Sequence, residues 1–315
     1  MTFKHPARQH ERYGRGSHVI DVDDLGDLGP QDLEVRLREL FASPDYQPPV
    51  LPAAAFELME VSRRPDVSLA EAKRVLEQDP LLASNVLKVA QSPAYATRAP
   101  LRSLDDAVSR LGINGVRDVV WQVVMGMRVF RVPGYSDVMT HVQRHCVATG
   151  HIAKAVCGYT AVANSYAFLC GLLHDVGICG VLIAISEGSG GKPPALDTLW
   201  PTIDEVHMEC GGQIARLWKL NPDIQIVLSQ HHRFDRSLMP HPLIATITVA
   251  EHLAQRFGWP LIPDNAADDL GFAVDGVREE RLEAAYDSLG ITAAIMKLLE
   301  QDVERLQQRL SGDAP

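Results

Sequence analysis

The sequence of 315 residues lacks the hallmarks of several protein classes. Its five cysteines are scattered without a CxxC pair, so we predict neither a disulfide framework nor a zinc ribbon, and we expect a cytoplasmic protein. Basic residues are also scarce, because 30 Lys and Arg stand against 40 Asp and Glu, for a formal net charge of −10. Since phosphate neutralisation needs a basic surface, nucleic acid is not an expected partner.

Signals for export or membrane insertion are also lacking. The N-terminal stretch MTFKHPARQHERYGRGSH has no apolar core of the kind that a secretory signal requires. The run from Ala161 to Ile185 is apolar, but His174 and Asp175 lie in its middle. A carboxylate at the centre of a bilayer costs about 2.5–3.5 kcal/mol on insertion scales. We therefore interpret this run as a pair of buried helices and expect no membrane partner.

The chain contains a succession of helical patterns, and we find no segment with the period-two alternation of a strand. Helix starts are indicated where a polar residue has capping-box or related spacing, or precedes a proline. These starts are Ser68 with Glu71, Ser103 with Asp106, Thr202 with Glu205, Asp79-Pro80, Asn221-Pro222 and His241-Pro242. Gly112 and Gly258 stand where helix C-caps are expected. The pattern predicts an all-α fold.

Histidines lie on the inward faces of these helices. The helix predicted from about Ser136 to Cys157 carries His145 on its apolar stripe, and His141, one turn earlier, faces much the same direction. His151 falls off that stripe, so we predict it at the surface. The helix therefore offers up to two inward imidazoles.

The following helices continue this arrangement. In the motif GLLHDVG, His174 and Asp175 end an apolar helix, where a buried carboxylate requires a partner. His207 lies early in the helix that Thr202 is predicted to open. The last inward candidates are His231, His232 and Glu251.

A divalent transition metal would satisfy these groups, because imidazole and carboxylate together suit such an ion and a carboxylate can bridge two. A single inward histidine is more often a hydrogen-bonded core residue, and Glu251 alone could be half-exposed or paired with Arg256. Four successive helices that each present a histidine, and a fifth with a carboxylate, would rarely arise by chance. The sequence thus predicts a metal site, with Fe, Mn, Zn, Ni and Co all open as its ion.

Two features resemble a known superfamily. The order of candidates is His145, His174-Asp175, His207, His231-His232 and Glu251. It resembles the ligand order of HD metal-dependent phosphohydrolases, especially the two-metal pattern of HD-GYP phosphodiesterases. The upstream segments PPVLP, EQDPLLASNVLKVAQSPAY and SLDDAVSRLGINGVRD resemble the N-terminal helical half of HDOD domains, whose members look like signal-transduction output modules. The likeness runs from about Pro48 to Gly258 and implies a multi-helix HDOD-type bundle.

This resemblance suggests a division of the chain. We expect a mobile N-terminal arm and short helix over residues 1–45, an HDOD domain over 46–260, and a C-terminal helical extension over 261–315. Within the domain, 46–133 would form the N-terminal helical half and 134–260 the half with the metal site. The apolar stripe of the last helix is suited to dock on the main domain or on another subunit, so a homodimer is one of two alternatives.

The resemblance also implies roles for two ions. One ion would bind His145, His174, Asp175 and Glu251, and the other would bind His207 with His231 or His232. Asp175 would bridge the ions and is the catalytic candidate. His141 stands where some HD-GYP members carry a glutamate ahead of the first ligand.

The chain also departs from the active HD-GYP pattern. Those enzymes usually read HDxGK, with a lysine that meets a substrate phosphate, whereas Ile178 stands at that position here. The GYP segment is replaced by HHRFDRSLMPHPL, and Glu251 replaces the final aspartate. These departures weigh against catalysis.

Three functions follow as alternatives. The favoured one is a regulatory module that contacts an unknown signalling protein or a small phosphorylated ligand. The second is a metal-dependent phosphohydrolase acting on a nucleotide or cyclic-dinucleotide phosphodiester, with Arg233 and Lys154 as phosphate contacts or merely as solvated surface charges. The third is a scaffold whose histidines are satisfied by hydrogen bonds.

Overall fold

The computed structural model describes residues 25, 28–64, 66–95, 103–127, 132–162, 165–189, 194–233, 241–262 and 279–311. Every regular element within these ranges is helical, and none of the residues in them forms a strand. The predicted all-α class is therefore confirmed. Most of the predicted mobile arm, residues 1–24, lies outside the described residues.

Five helices form the N-terminal half. They are α1 (Pro30–Ala42), α2 (Ala53–Ser62), α3 (Leu69–Glu77), α4 (Pro80–Ala90) and α5 (Leu104–Met125). The side chains of Ser68, Asp79 and Ser103 accept hydrogen bonds from backbone N–H groups in the first turns of α3, α4 and α5. These three predicted helix starts are confirmed, because each polar residue caps N–H groups that have no partner within the helix.

Eight further helices complete the described fold. They are α6 (Ser136–Gly158), α7 (Ala167–Leu173), α8 (Val176–Gly188), α9 (Leu196–Leu217), α10 (Pro222–Gln230), α11 (Pro242–Arg256), α12 (Glu279–Leu289) and α13 (Ala293–Ser311). Asn221 and His241 cap α10 and α11 as predicted. Gly258, with φ of +90°, follows the end of α11, which agrees with its predicted position after a C-terminus.

One predicted helix boundary is wrong. Helix α9 begins at Leu196 rather than Thr202, and Pro201 lies inside it. The Thr202 side chain is buried and donates a hydrogen bond to the carbonyl of Pro30, so it joins α9 to α1 instead of capping α9. At Gly112, by contrast, the backbone is not helical, with φ of +64°, and two helical stretches meet there at a kink within α5, so the predicted helix end at this glycine is confirmed.

The apolar run at the centre of the sequence forms the buried pair α7 and α8. The stretch Ala167–Glu187 is long and apolar enough to cross a membrane by length and composition, yet 94% of its most apolar window is buried inside the fold. Helix α7 packs on α6, and α8 packs on α9. The junction between α7 and α8, where His174 and Asp175 lie, is therefore enclosed by protein.

Glycines permit the close helix contacts that position this junction. A Cβ on Gly171 of α7 would lie 2.6 Å from the backbone of Gly150 on α6. A Cβ on Gly177 of α8 would lie 1.8 Å from the carbonyl oxygen of His207 on α9. Only a residue without a side chain fits at either contact, so α6 and α9 approach the junction from two sides.

The C-terminal helices pack on the same bundle. Helix α12 lies against α11, and α13 lies against α6. The apolar stripe of α13 places Leu299 and Val303 in the core, at 0% and 1% exposure. Docking within the chain accounts for this stripe, and the homodimer stays a prediction.

Candidate metal centre

Five helical segments bring polar side chains to one buried location. His145 comes from α6, His174 and Asp175 from the α7–α8 junction, and His207 from α9. The remaining members are His231 and His232, which follow α10, and Glu251 on α11. All except His232 are at most 6% exposed, and the His232 side chain is 24% exposed. The site is therefore built almost entirely inside the bundle.

The side chains fall into two groups. His145, His174 and Glu251 form one group, in which a ligand atom of each lies within 4.8 Å of the others. The second group meets the same criterion and consists of His207, His231 and His232. This division follows the two sets of ligands that the resemblance implied, although their metal-binding role stays a prediction.

Asp175 lies between the two groups. Its Oδ2 is 3.0 Å from Nε2 of His174, in the first group. Its Oδ1 is 3.2 Å from Nε2 of His231 and 3.8 Å from Nε2 of His207, in the second group. One carboxylate thus faces both groups, which is the position that a bridging ligand would require.

The tautomers of the buried rings are set by backbone carbonyls. The Nδ1 atoms of His145, His207 and His231 lie 2.8, 2.7 and 3.1 Å from the carbonyl oxygens of Trp259, Asp204 and Val227. Because a carbonyl only accepts, each Nδ1 carries the proton, and in the neutral ring Nε2 keeps its lone pair. Hydrogen bonding of this kind is typical of metal-ligating histidines.

The lone pairs then face one another. Nε2 of His207 and Nε2 of His231 are 3.4 Å apart, so two acceptors meet without a donor between them. Both oxygens of Asp175 and Nε2 of His174 are also buried and make no well-aligned hydrogen bond, although Nε2 and Oδ2 lie 3.0 Å apart as an ion pair. Buried polar atoms that lack a partner are costly, and a cation among these atoms would satisfy them. The donor set therefore fits a metal centre.

Burial and neighbouring charge shift the pKa values of these groups. Burial lowers the pKa of His231 to about 3, and the charge of His232 adds to this effect. Burial likewise lowers the pKa of His145 and of His207, so these rings are neutral, the form that binds a metal.

The pKa values of His174, Asp175 and Glu251 shift in the direction opposite to the one that burial favours. Burial disfavours a charged His174, but Asp175 and Cys146 together outweigh burial, through charge and hydrogen bonding, and raise the His174 pKa well above its usual value. The imidazoles in turn hold the pKa values of Asp175 and Glu251 well below their usual range, despite burial. A metal that binds here would have to displace a proton from His174.

Glu251 has a partner that the sequence analysis did not find. Its Oε1 faces Nε2 of His232 at 3.1 Å, and its Oε2 accepts a hydrogen bond from Nη2 of Arg281 at 3.1 Å. The proposed partner Arg256 is instead paired with Glu300. Arg281 is buried on α12 on the same face as Ala285, and this i, i+4 spacing was the available signal.

Cys146 is a second missed neighbour. Its sulfur lies within 4.8 Å of ligand atoms of His174 and Asp175. From the sequence, the cysteines indicate only the compartment. The sequence signal was its position directly after His145, at the inner face of α6.

Two α6 histidines lie differently from their predicted positions. His141 is not placed in either group: it is partly exposed, and its Nδ1 binds the carbonyl of Asp137 one turn back on its own helix. His151 is not a surface residue: it is half-buried against the rings of Tyr95 and Phe168, at centroid distances of 5.4 and 5.0 Å.

The two proposed phosphate contacts lie elsewhere. Lys154 is 3.7 Å from Oδ2 of the buried Asp118. Arg233 is exposed and lines a surface cavity with Arg38 and Glu209, to which none of the candidate metal ligands contributes. Ile178 is buried at 2% exposure and brings no charge to the site.

Comparison with known proteins identifies the family. The HDOD domain model matches residues 49–234. The chain belongs to the HDOD family. The matched region lies inside the predicted domain of residues 46–260, whose exact boundaries stay a prediction. It ends before Glu251 and Arg281, so part of the candidate site lies outside the family match.

A curated relative of this HDOD chain occurs in Treponema pallidum (strain Nichols). It is an uncharacterized protein that is 27% identical over 217 residues. The match covers 64% of this chain and 41% of the relative, so the chain spans less than half the length of that protein.

Solved structures share the fold. An HDOD domain protein of unknown function from Geobacter sulfurreducens gives a TM-score of 0.61 at 20% identity, over 88% of this chain and 97% of that one. A candidate metal-dependent phosphohydrolase from Shewanella amazonensis SB2B gives a TM-score of 0.60 at 19% identity. This match covers 89% of this chain and 98% of that one. A candidate signal transduction protein from Marinobacter aquaeolei VT8 gives a TM-score of 0.61 at 20% identity. This match covers 93% of this chain and 65% of that one. The predicted HDOD-type bundle is thus confirmed at the level of fold.

Proposed function

We propose that this HDOD chain is a cytoplasmic regulatory module of signal transduction, built around a centre for two divalent transition metal ions. The observation that carries the proposal is the 3.4 Å approach of Nε2 of His207 to Nε2 of His231, with both Nδ1 protons directed to backbone carbonyls. Two facing lone pairs in a buried site need a cation. The free, buried cysteines suit a reducing compartment.

The candidate ligands divide between two ions. His145, His174 and Glu251 would hold one ion, and His207 with His231 or His232 would hold the other. Asp175 would contact both ions, since its two oxygens face the two groups. Imidazole and carboxylate donors suit Fe, Mn, Zn, Ni or Co, so availability would decide which of these binds.

The burial of the centre favours a regulatory role. Six of the seven residues are at most 6% exposed, and Ile178 replaces a cation that would meet a substrate. A regulatory module does not need an open coordination position, whereas an enzyme does. Ions held by residues from five helical segments would fix how these segments pack. The output would be contact with a signalling protein or a small phosphorylated ligand.

A phosphohydrolase acting on a nucleotide or cyclic-dinucleotide phosphodiester is the second candidate. The position of Asp175 between the two groups favours it, because two-metal hydrolases share a bridging ligand of this kind. Two ions held by these residues would supply Lewis acidity and neutralise phosphoryl oxygens. Asp175 would then be the central residue of the site, by holding both ions in place.

Metal content tests the proposal. The full chain would be purified without a tag or chelator, and elemental mass spectrometry would give the ions per chain. We expect about two ions for the wild type and none for the His174→Ala, Asp175→Ala double variant, which removes both charges of the buried pair together. His141→Ala is the matched control, because it removes an α6 histidine outside both groups.

The outcomes separate the two candidates. A wild-type chain without metal, in a sample whose circular dichroism shows a folded protein, would overturn both. A chain with about two ions that hydrolyses no phosphodiester or nucleotide supports the regulatory module. Hydrolysis that is lost with the ions in the double variant supports the phosphohydrolase.

A further inference from the structure

Arg281 brings a buried positive charge to the centre from outside the region that matches the family. It lies on α12 and is 6% exposed. Its Nη2 donates to Oε2 of Glu251 at 3.1 Å, and the other oxygen of Glu251 faces His174 and His232. The guanidinium is thus one carboxylate away from the candidate ligands.

The guanidinium is not fully satisfied by this pair. Its Nε is buried and has no hydrogen-bond partner among the residues that the structure describes. A guanidinium carries five N–H donors in a planar fork, and leaving a buried donor unpaired is costly. The fork matches an oxyanion, which accepts two parallel hydrogen bonds from one edge of it. The unpaired Nε therefore indicates a missing anionic acceptor.

The net charge of the centre with its metal ions bound would also favour an anionic ligand. Two divalent ions would outweigh the carboxylates of Asp175 and Glu251, and Arg281 would add to the positive charge. Lys154 instead lies 3.7 Å from Asp118, and Arg233 lines a separate cavity. Ile178, three residues after Asp175, is buried and apolar.

We propose that Arg281 is a binding residue for a phosphate group that docks at the metal centre. This inference rests on the proposed function and names the chemical class of its ligand. The Nε–H and a remaining N–H of the guanidinium would donate to phosphate oxygens, while Glu251 keeps its hydrogen bond to Nη2. Arg281, on the C-terminal extension, would then supply a cation that neither Lys154 nor Arg233 brings to the site.

Phosphate affinity tests this role with inorganic phosphate as the probe. Isothermal titration calorimetry on the metal-loaded full chain would compare the wild type with Arg281→Gln, and elemental analysis of the same samples would count the ions. We expect Arg281→Gln to keep its ions and to bind phosphate roughly tenfold more weakly or worse, the effect of losing a charge-assisted hydrogen bond. The control is Arg256→Gln, which breaks the exposed ion pair between Arg256 and Glu300. It should leave the phosphate affinity unchanged.

Each outcome decides the inference. If Arg281→Gln keeps its ions and binds phosphate like the wild type, Arg281 does not bind phosphate. If Arg281→Gln loses its ions, Arg281 is a positioning residue for Glu251, and the inference is also overturned. Should Arg281→Gln not fold, Arg281→Lys keeps the charge opposite Glu251 but not the planar fork, and unchanged affinity in it would overturn the inference.

The failure of the proposed function gives a different result. A wild-type chain that holds no metal overturns the metal centre and this inference with it. A wild-type chain that holds its ions but binds no phosphate overturns the inference alone.

Discussion

Arg281 and Glu251 form a buried ion pair, with Nη2 of the arginine 3.1 Å from Oε2 of the glutamate and side chains that are 7% and 8% exposed. Breaking such a pair from one side leaves an uncompensated charge, which costs about 3–5 kcal/mol. We predict that Glu251→Gln lowers the unfolding free energy of the metal-free chain by about this amount, while Glu251→Gln with Arg281→Met costs less. Urea unfolding would measure both.

The exposed pair of Arg256 and Glu300 provides the control for this cycle. Their side chains are 53% and 27% exposed, and such a pair contributes about 0–1 kcal/mol. Glu300→Gln should therefore change the unfolding free energy little. If Glu251→Gln and the double variant lost the same unfolding free energy, the prediction would be contradicted, because the buried guanidinium would then not need its partner.

The Glu251–Arg281 pair also illustrates what the sequence could and could not predict. The positions of His145, His174, Asp175, His207, His231, His232 and Glu251 could be predicted, because helical periodicity, the apolar run before His174 and the resemblance to the HD ligand order indicate them together. Arg281 could not be paired with Glu251 in this way. The two residues are 30 positions apart on separate helices, and only the docking of α12 on α11 brings them together.

The errors on α6 and α9 have physical causes. His141 and His145 share a helical stripe but lie about 6 Å apart along the axis, so a compact cluster reaches only one of them. Thr202 and Glu205 have capping-box spacing, yet the same spacing occurs inside α9, where Thr202 is buried. Spacing within one helix cannot reveal how far that helix extends against its neighbours.

The pH dependence of stability provides a second prediction, through His231. Burial lowers its pKa to about 3, whereas an unfolded histidine titrates near 6.5. Between these values the unfolded chain binds more protons than the folded one, so His231 makes the fold less stable as the pH falls through this window. We expect His231→Gln to flatten the loss of stability between pH 7 and about 4 in the metal-free chain.

Urea unfolding at several pH values would test this expectation. His174 acts in the opposite direction: its raised pKa stabilises the fold below its unfolded value near 6.5, and this contribution is lost as the pH rises through the folded value. The comparison between wild type and His231→Gln is therefore the informative quantity. Parallel pH profiles for the two chains would refute the prediction, and His141→Gln controls for the loss of a histidine.

The contact of α8 with α9 at Gly177 provides a third prediction. A Cβ at this position would lie 1.8 Å from the carbonyl oxygen of His207 and 2.8 Å from the backbone nitrogen of Gly211. Because backbone atoms cannot rotate away, we expect Gly177→Ala to destabilise the fold by about 3 kcal/mol or more and to displace His207. Urea unfolding and metal content would measure these two effects.

Gly158 is the matched control for this substitution. It lies at the end of α6 with nothing within 4 Å of the added Cβ. Gly158→Ala should be neutral or stabilising by up to about 1 kcal/mol, because alanine restricts the unfolded chain. Equal stabilities of the two alanine variants would show that α8 and α9 do not approach as closely as described.

The two groups of ligands should lose their ions separately, because His145 and His207 lie in different groups, which meet only through the carboxylates of Asp175 and Glu251 among the candidate carboxylates. We predict that His145→Ala and His207→Ala each lower the metal content from about two ions per chain to about one, whereas Asp175→Ala removes both. Elemental mass spectrometry would measure this, with His141→Ala retaining the wild-type content. Loss of both ions in His207→Ala would contradict independent sites, since one group would then depend on the other for more than the shared carboxylates.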